Sequence, residues 1–371
     1  MAHSLDPKAQ KGSPNKLQIL PQSALNMPTR LPPSAMPQPS VRAETPVAFL
    51  RAIEAAYAAR GMSPAGAFHQ AQITPEILSQ ADARITALQM EWVSDAAMRE
   101  LDDEGLGWFS RRLPWGSYGM LVRASLTAPT LGIAMQRWCR RHGLLTDDIA
   151  LTVASEQGIA RLELAEHRLL GDMQEFGVVS VLRNALGVAC WLTDSRIPLL
   201  QTTLQFAPPR HADSYRVLFD GPTQFNAPIH SLQFDAGYLN LPVRRDESAL
   251  QRMLQRALLL TVRPYRRDRL LVEKVRQALT EHPEHGRNAE ELAAFLNLSP
   301  RTLHRQLKDE GSSLQQLKDA VRQAHARELL LRTHKPLKQI AEDVGFLNEK
   351  SFIRAFKAWT GVTPDSYRKA V

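Results

Sequence analysis

Apolar residues recur at helical spacing through residues 287–371, and the polar face opposite them is basic in two separate places. Asn288 and Glu291 stand three apart ahead of Leu292, Phe295, Leu296 and Leu298, the spacing of a capping box that opens a short helix. Ser299 and Pro300 then supply an N-cap and first helical residue for a second helix, which buries Leu303 and Leu307 and stops at Gly311. At about 100° per residue, Arg301, Arg305 and Lys308 fall opposite that apolar pair, with His304 on the flank. The pattern returns further on. Leu337, Ile340, Ala341 and Val344 predict a short helix closed by Gly345 and Phe346. From Asn348 another helix buries Phe352, Phe356 and Trp359, stops at Gly361, and turns Lys350, Arg354 and Lys357 outward beside Glu349. Between the two units, residues 313–332 lack Gly and Pro and keep Leu314, Leu317, Val321, Ala324, Leu329 and Leu330 at mostly helical spacing. A helix of that length spans about 30 Å at 1.5 Å per residue. Major-groove faces on one side of B-DNA recur about every 34 Å, so the spacer suits two readers in neighbouring grooves.

At these residues the chain resembles the AraC/XylS family of bacterial transcription regulators. The resemblance rests on residues 340–369, IAEDVGFLNEKSFIRAFKAWTGVTPDSYRK, and on residues 298–311, LSPRTLHRQLKDEG. The family pairs a Gly-Phe turn with a Phe-x-Arg-x-Phe-Lys helix and a Gly-x-Thr/Ser-Pro-x-x-Tyr-Arg close. Here these are Gly345, Phe346, Phe352, Arg354, Phe356, Lys357, Gly361, Thr363, Pro364, Tyr367 and Arg368. The resemblance implies sequence-specific DNA binding, with base contacts from Arg301, His304 and Arg305 in the first unit and Glu349, Lys350 and Arg354 in the second.

An isolated basic stripe is usually a solvated helix face, but two matched stripes on matched scaffolds favour groove or phosphate contact. Arg grips guanine through O6 and N7, whereas Glu349 can only accept, from a cytosine amino group, or else hold Lys350 or Arg354 in place. Lys308 and Lys357 lie further along each helix, where backbone contact is as natural as base contact. Phe346, Phe352, Phe356 and Trp359 are read as core.

The middle of the chain, 46–245, mixes two periods and predicts an α+β domain ahead of the all-α double helix-turn-helix domain at 266–371. Helical spacing runs through 46–60 (Phe49, Ile53, Tyr57), 81–100 (Ile85, Leu88, Trp92, Met98) and 130–143. Residues 151–164 alternate around Gln157 and Gly158, a β-hairpin with Leu162 and Leu164 inward and Arg161 and Glu163 outward. A buried helix at 172–192 and strands at 200–206, 215–219 and 230–235 complete the domain. A helical linker occupies 246–265, where Leu250, Met253, Leu254, Ala257 and Leu258 share one face that either dimerises or closes the core. Residues 1–45, rich in Pro, Ser, Gln and Asn, read as a disordered extension.

Residues 206–247 look like the effector domain of the AraC-type branch named after arabinose binding, a name that does not establish arabinose as the ligand. Trp108, Arg111, Arg112, Trp115 and Tyr118 are the densest aromatic and basic cluster in this domain. Against them a small acidic or aromatic effector would find bidentate donors, unless they simply pack around a Gly-rich turn.

Charge fits the division of labour. Of the net +8, residues 266–371 carry +6, from 20 Lys and Arg against 14 Asp and Glu, while 46–265 is near neutral. Cys139 and Cys190 suit a reducing cytoplasm; Cys139, between Arg137, Arg140 and Arg141, is also a candidate redox thiol. Neither is preceded by Pro or followed by His-Arg, which argues against a DNA alkyl-transfer enzyme. No esterase elbow, P-loop, dinucleotide fingerprint or paired CxxC occurs, and His282 and His285 read as linker histidines, so neither catalysis nor a cofactor or metal is expected. No signal peptide is visible, and the apolar stretch 176–192 is interrupted by Arg183 and Asn184, so no membrane span is expected. The sequence therefore predicts a cytoplasmic, nucleoid-associated transcription regulator, an activator under a small-molecule effector. Its partners would be promoter DNA, RNA polymerase and, should 247–263 dimerise, a second copy in a homodimer. The competing expectation is a constitutive or architectural DNA-binding protein whose middle domain only dimerises.

Overall fold

The computed structural model describes residues 43–255, 268–286 and 288–369. The Pro-rich extension expected over 1–45 lies almost wholly outside the described residues, as does the second half of the 246–265 linker with Ala257 and Leu258.

An α+β domain comes first. β1 (Thr45–Pro46) leads into α1 (Val47–Ala58), whose Val47, Leu50, Ile53 and Tyr57 are fully buried. Two short helices, α2 (Ala65–Gln70) and α3 (Pro75–Ser79), precede β2 (Arg84–Ile85), which pairs antiparallel with β1. The next helix, α4 (Ala87–Glu100), starts later than the periodicity predicts. Thr86 and Gln89 cap it reciprocally, so Ile85 belongs to a strand. Its buried stripe is Met90, Val93 and Ala97, with Trp92 and Met98 half-buried at the margin, because α4 is wedged between α1 and α2. α5 (Ser117–Ser125) and α6 (Leu131–His142) follow.

β3 (Ile149–Glu156) and β4 (Ile159–Glu166) form the expected hairpin, with Leu162 and Leu164 inward. Gln157 and Gly158 turn it, both at positive φ. The long helix α7 (Gln174–Thr193) is the spine of the core. Together with the turn that precedes it, α7 forms a stretch, Gly171–Thr193, long and apolar enough to cross a membrane, but 72% of its most apolar window is buried inside the protein, as for a core helix. β5 (Leu199–Thr203) overlaps the strand expected over 200–206, starting one residue earlier and ending three residues earlier. Residues 215–219, also expected as a strand, instead make a helical turn, α8 (Tyr215–Leu218). Tyr215 and Phe219 are buried four residues apart while Val217 is exposed, a spacing that two-residue alternation mimics over so short a run. β6 (Thr223–Gln224) and β7 (His230–Asp235) complete a five-stranded sheet ordered β3-β4-β7-β5-β6, in which only the β5–β6 pair is parallel. α9 (Glu247–Leu254) folds back on α5. Leu250 is fully buried in the same core, so the described part of this amphipathic segment closes its own domain.

The second domain is all helical: α10 (Leu270–Glu281), α11 (Ala289–Phe295), α12 (Pro300–Asp309), α13 (Leu314–Arg332), α14 (Leu337–Asp343), α15 (Glu349–Thr360) and α16 (Pro364–Lys369). It has two small cores, one built from residues 271–317 and one from 326–356, each serving one helix-turn-helix unit. α13 belongs to both. Its N-terminal Leu314 and Leu317 enter the first core and Ala326 and Leu330 the second; Ala324, expected inward, is exposed.

Candidate nucleic-acid interface

Each helix that carries a basic stripe is placed by local chemistry. Asn288 Oδ1 accepts the Glu291 N–H at 2.7 Å and its amide donates to the Glu291 carboxylate at 2.9 Å, which starts α11. Ser299 Oγ accepts the Thr302 N–H at 3.1 Å and starts α12 behind Pro300. Leu303 and Leu307 are fully buried, so the helix cannot rotate, and Arg301, His304, Arg305 and Lys308 all face solvent. In the second unit Asn348 Oδ1 accepts the Ser351 N–H at 2.8 Å. Gly345 stands at φ +81°, a turn that an L side chain enters only under strain, and it lets Phe346 fold back against Phe352 and Trp359. Phe352 and Phe356 are fully buried, and the Tyr367 ring meets Phe356 edge-on at 5.5 Å. The Arg368 guanidinium donates to the Lys335 carbonyl at 2.7 Å and ties α16 to the start of α14.

The second stripe is exposed as well: Lys350, Arg354 and Lys357 face water, and Glu349 is half-buried. Among the described residues none of these eight side chains forms an ion pair or a side-chain hydrogen bond, and Glu349 does not pair with Lys350 or Arg354. Cations left unpaired on two pre-formed helices lose little internal stabilisation when they bind an anion.

In the α+β domain the structure separates the aromatic and basic cluster. Trp108 is 4% exposed and packs edge-on against Phe176, so close to α7 that a Cβ at Gly177 would stand 3.2 Å from it. Tyr118 stacks on Trp138 and reaches His142 Nε2 at 3.3 Å through its hydroxyl. Trp115 lies at the surface under the Arg99 guanidinium, and Arg111 and Arg112 are exposed. Three consecutive acids, which no periodicity or motif singles out, shape this loop. Asp103, 2% exposed, accepts N–H groups from Gly105, Gly107 and Leu113, each at 3.0 Å, and pairs with Arg60 at 2.5 Å. Asp102 accepts from Trp115 N–H, and the Glu104 carboxylate from Gly116 and Tyr118. Burial raises the Glu104 carboxyl above the usual range, partly offset by those two amide bonds.

Burial also settles the cysteines. Cys139 and Cys190 are free thiols pushed up to about 12, because loss of water around a thiolate outweighs the arginines flanking Cys139 in sequence. The alternative of a low-pKa redox thiol at Cys139, a minor one from the sequence, has no support in this burial. His282 and His285 lie beside Phe295, with the His285 ring stacked on it at 4.6 Å, and among the described residues no group of three His, Cys, Asp or Glu side chains is placed to hold a metal.

Residues 61–243 match the family model described as the arabinose-binding domain of AraC transcription regulators, N-terminal, and residues 292–370 match a helix-turn-helix domain model. The ornithine utilization regulator of Pseudomonas aeruginosa is 30% identical over 329 residues, covering 88% of this chain and 96% of that protein. An uncharacterized HTH-type transcriptional regulator of Mycobacterium tuberculosis is 24% identical over 322 residues, covering 84% and 92%. Among solved structures, the C-terminal domain of AraT, a response regulator from Geobacillus stearothermophilus, is 39% identical over 27% of this chain and 85% of its own, with a TM-score of 0.26. The DNA-binding domain of AdpA, a global transcriptional factor solved in complex with a target DNA, is 32% identical over 27% and 90%, with a TM-score of 0.24. With one relative similar along nearly its whole length and both domains matched, the chain belongs to the AraC family of transcription regulators.

Proposed function

We propose that this regulator is an activator whose DNA affinity answers to a small organic effector bound by the domain at about 46–245, and that the domain at 266–371 reads two successive major grooves. In this reading Arg301, His304 and Arg305 on α12 and Glu349, Lys350 and Arg354 on α15 meet base edges, while Lys308 and Lys357 hold phosphates. The observation that carries it is the pair of exposed, internally unpaired stripes on two separate cores bridged by the 19-residue α13. RNA polymerase is the protein partner, and the site of action is the cytoplasmic nucleoid.

The effector is proposed to be an amino acid or a close relative of one. The similarity to a regulator named for ornithine utilization supports that class. Arg111 and Arg112 are the exposed members of the 108–118 loop, suited to gripping a carboxylate, with Trp115 beside them and with Trp108 and Tyr118 holding the loop from the core side. The test is a thermal-shift screen of the full chain against amino acids and diamines, followed by footprinting and in vitro transcription with and without any hit. A ligand that binds only the folded state at a hundredfold excess over Kd stabilises it by about 2.7 kcal/mol. Protection of two adjacent major grooves and ligand-dependent transcription are expected. A footprint unchanged by every compound that shifts melting would leave a constitutive DNA-binding protein and sink effector control.

A further inference from the structure

Glu310 ends α12, the first reader helix, and an acid at a helix C-terminus opposes the helix dipole. It is nonetheless only 8% exposed. Its two oxygens accept the N–H groups of Leu271 at 3.2 Å and Val272 at 2.8 Å, first-turn amides of α10 that have no partner within their own helix. Arg269, at the N-cap of α10, supplies no side-chain cap of its own. The end of a reader helix therefore caps the start of α10.

That same start is fastened to the effector domain. The Arg269 guanidinium donates to the Asp194 carboxylate at 2.6 Å and to the Asp194 carbonyl at 3.0 Å, and the Arg269 N–H donates to Ser195 Oγ at 3.0 Å. The Tyr238 hydroxyl donates to Asp268 at 2.7 Å, and Arg244 pairs with Glu273. Asp194 is the left-handed cap that ends α7, the spine of the effector-domain core. One short backbone segment, residues 268–272, thus holds the end of α7 on one side and the end of α12 on the other.

We propose that Glu310 is a positioning residue for DNA reading, and that Asp194, Arg269 and Glu310 form a polar relay through which movement at the end of α7 changes the pose of α12. The proposal rests on α12 being a reader. It supplies a contiguous hydrogen-bonded path of the kind that carries coupling between sites.

The groups around Glu310 make the relay sensitive to protons. It borders a cleft of about 460 Å³ lined by Asp268, Lys274, Gln306, Asp309 and four leucines, with the Arg269 charge acting on it as well. Burial, opposed by the two amide bonds and reinforced by Asp268, pushes its carboxyl up to about 7. Once protonated, it has one acceptor fewer for amides that need both, so the cap loosens as pH falls through neutrality.

The experiment uses the full chain and a duplex selected by the wild-type protein from a randomised pool. Binding is read by fluorescence anisotropy between pH 6 and 8, and amide exchange over 268–275 by mass spectrometry, for Glu310→Gln, Asp194→Asn, their double variant and Arg305→Ala. Glu310→Gln is expected to weaken binding about tenfold at pH 8, to speed exchange over 268–275, and to flatten the component of the pH profile centred near 7. A purely structural loss would leave that component in place. Asp194→Asn, which leaves both reader cores untouched, is expected to weaken binding several-fold, and the double variant to be no weaker than Glu310→Gln alone. The relay is overturned if the two substitutions act additively. The positioning role fails if Glu310→Gln keeps wild-type affinity and pH profile while Arg305→Ala weakens binding. If Arg305→Ala is also silent, the reader assignment fails and takes the proposal with it.

Discussion

Replacing Arg305 and Arg354 by Ala, singly and together, most directly tests the proposal that α12 and α15 read DNA. Both side chains are exposed and form no ion pair among the described residues, so their removal should change stability by no more than about 0.5 kcal/mol. A bidentate Arg contact to guanine is worth about 1–3 kcal/mol, so each single variant should bind a selected duplex about 5- to 150-fold more weakly. The two residues sit on different cores, separated by α13, whose 19 residues span about 28 Å at 1.5 Å per residue. Sites so far apart add, and the double variant should lose about 2–6 kcal/mol, at least thirtyfold. Anisotropy titrations at several salt concentrations separate base from phosphate contact, since a variant that neutralises one phosphate fewer shows a slope of log K against log salt shallower by about 0.9. Arg variants that keep their circular dichroism and melting temperature yet bind like the wild type would refute the assignment. Weakening confined to one of the two would restrict reading to a single groove.

Asp103→Ala should destabilise the α+β domain by about 3–5 kcal/mol, because it strands three amides and the Arg60 charge; a calorimetric loss below about 1 kcal/mol would show that water replaces the carboxylate. His142, fully buried and held by that burial down to about 4, gives a defined acid response. Its folded-state value lies below the unfolded 6.5, so its contribution is complete above 6.5 and is lost as pH falls toward 4, by about 3 kcal/mol in all; His142→Gln should flatten the melting temperature over that window, and an unchanged profile would exclude it. Native Cys139 and Cys190 should resist alkylation at pH 8 until the chain unfolds, and rapid labelling of either would contradict their burial. A fragment of residues 268–371 should fold on its two cores and bind DNA at low salt without effector response, as checked by circular dichroism and anisotropy.

What the sequence determined by itself is local. Each helix-turn-helix unit is written in a contiguous stretch, where caps such as Asn288, Ser299 and Asn348, a φ-positive glycine such as Gly345, and an apolar pair four residues apart fix one rotation of the helix and so the outward face. The hairpin at 149–166 and the spine α7 were legible for the same reason, because their period and turn residues lie side by side in the chain. Periodicity failed where runs were too short to separate strand from helix, as at Tyr215–Leu218, or where a neighbouring helix chose the buried stripe, as on α4. The 108–118 segment reads as one cluster, yet the fold sends Trp108 and Tyr118 inward and Trp115, Arg111 and Arg112 outward, under the direction of acids at 102–104 that carry no periodic signal. Glu310 left one trace, an acid at a helix end where the dipole disfavours it, but its partners lie 38 and 39 residues away in sequence. The thiols show the same limit: flanking arginines suggested activation, and only burial among distant side chains decided against it. Desolvation and non-local hydrogen bonds depend on what the folded chain brings together, so only the tertiary structure decides them.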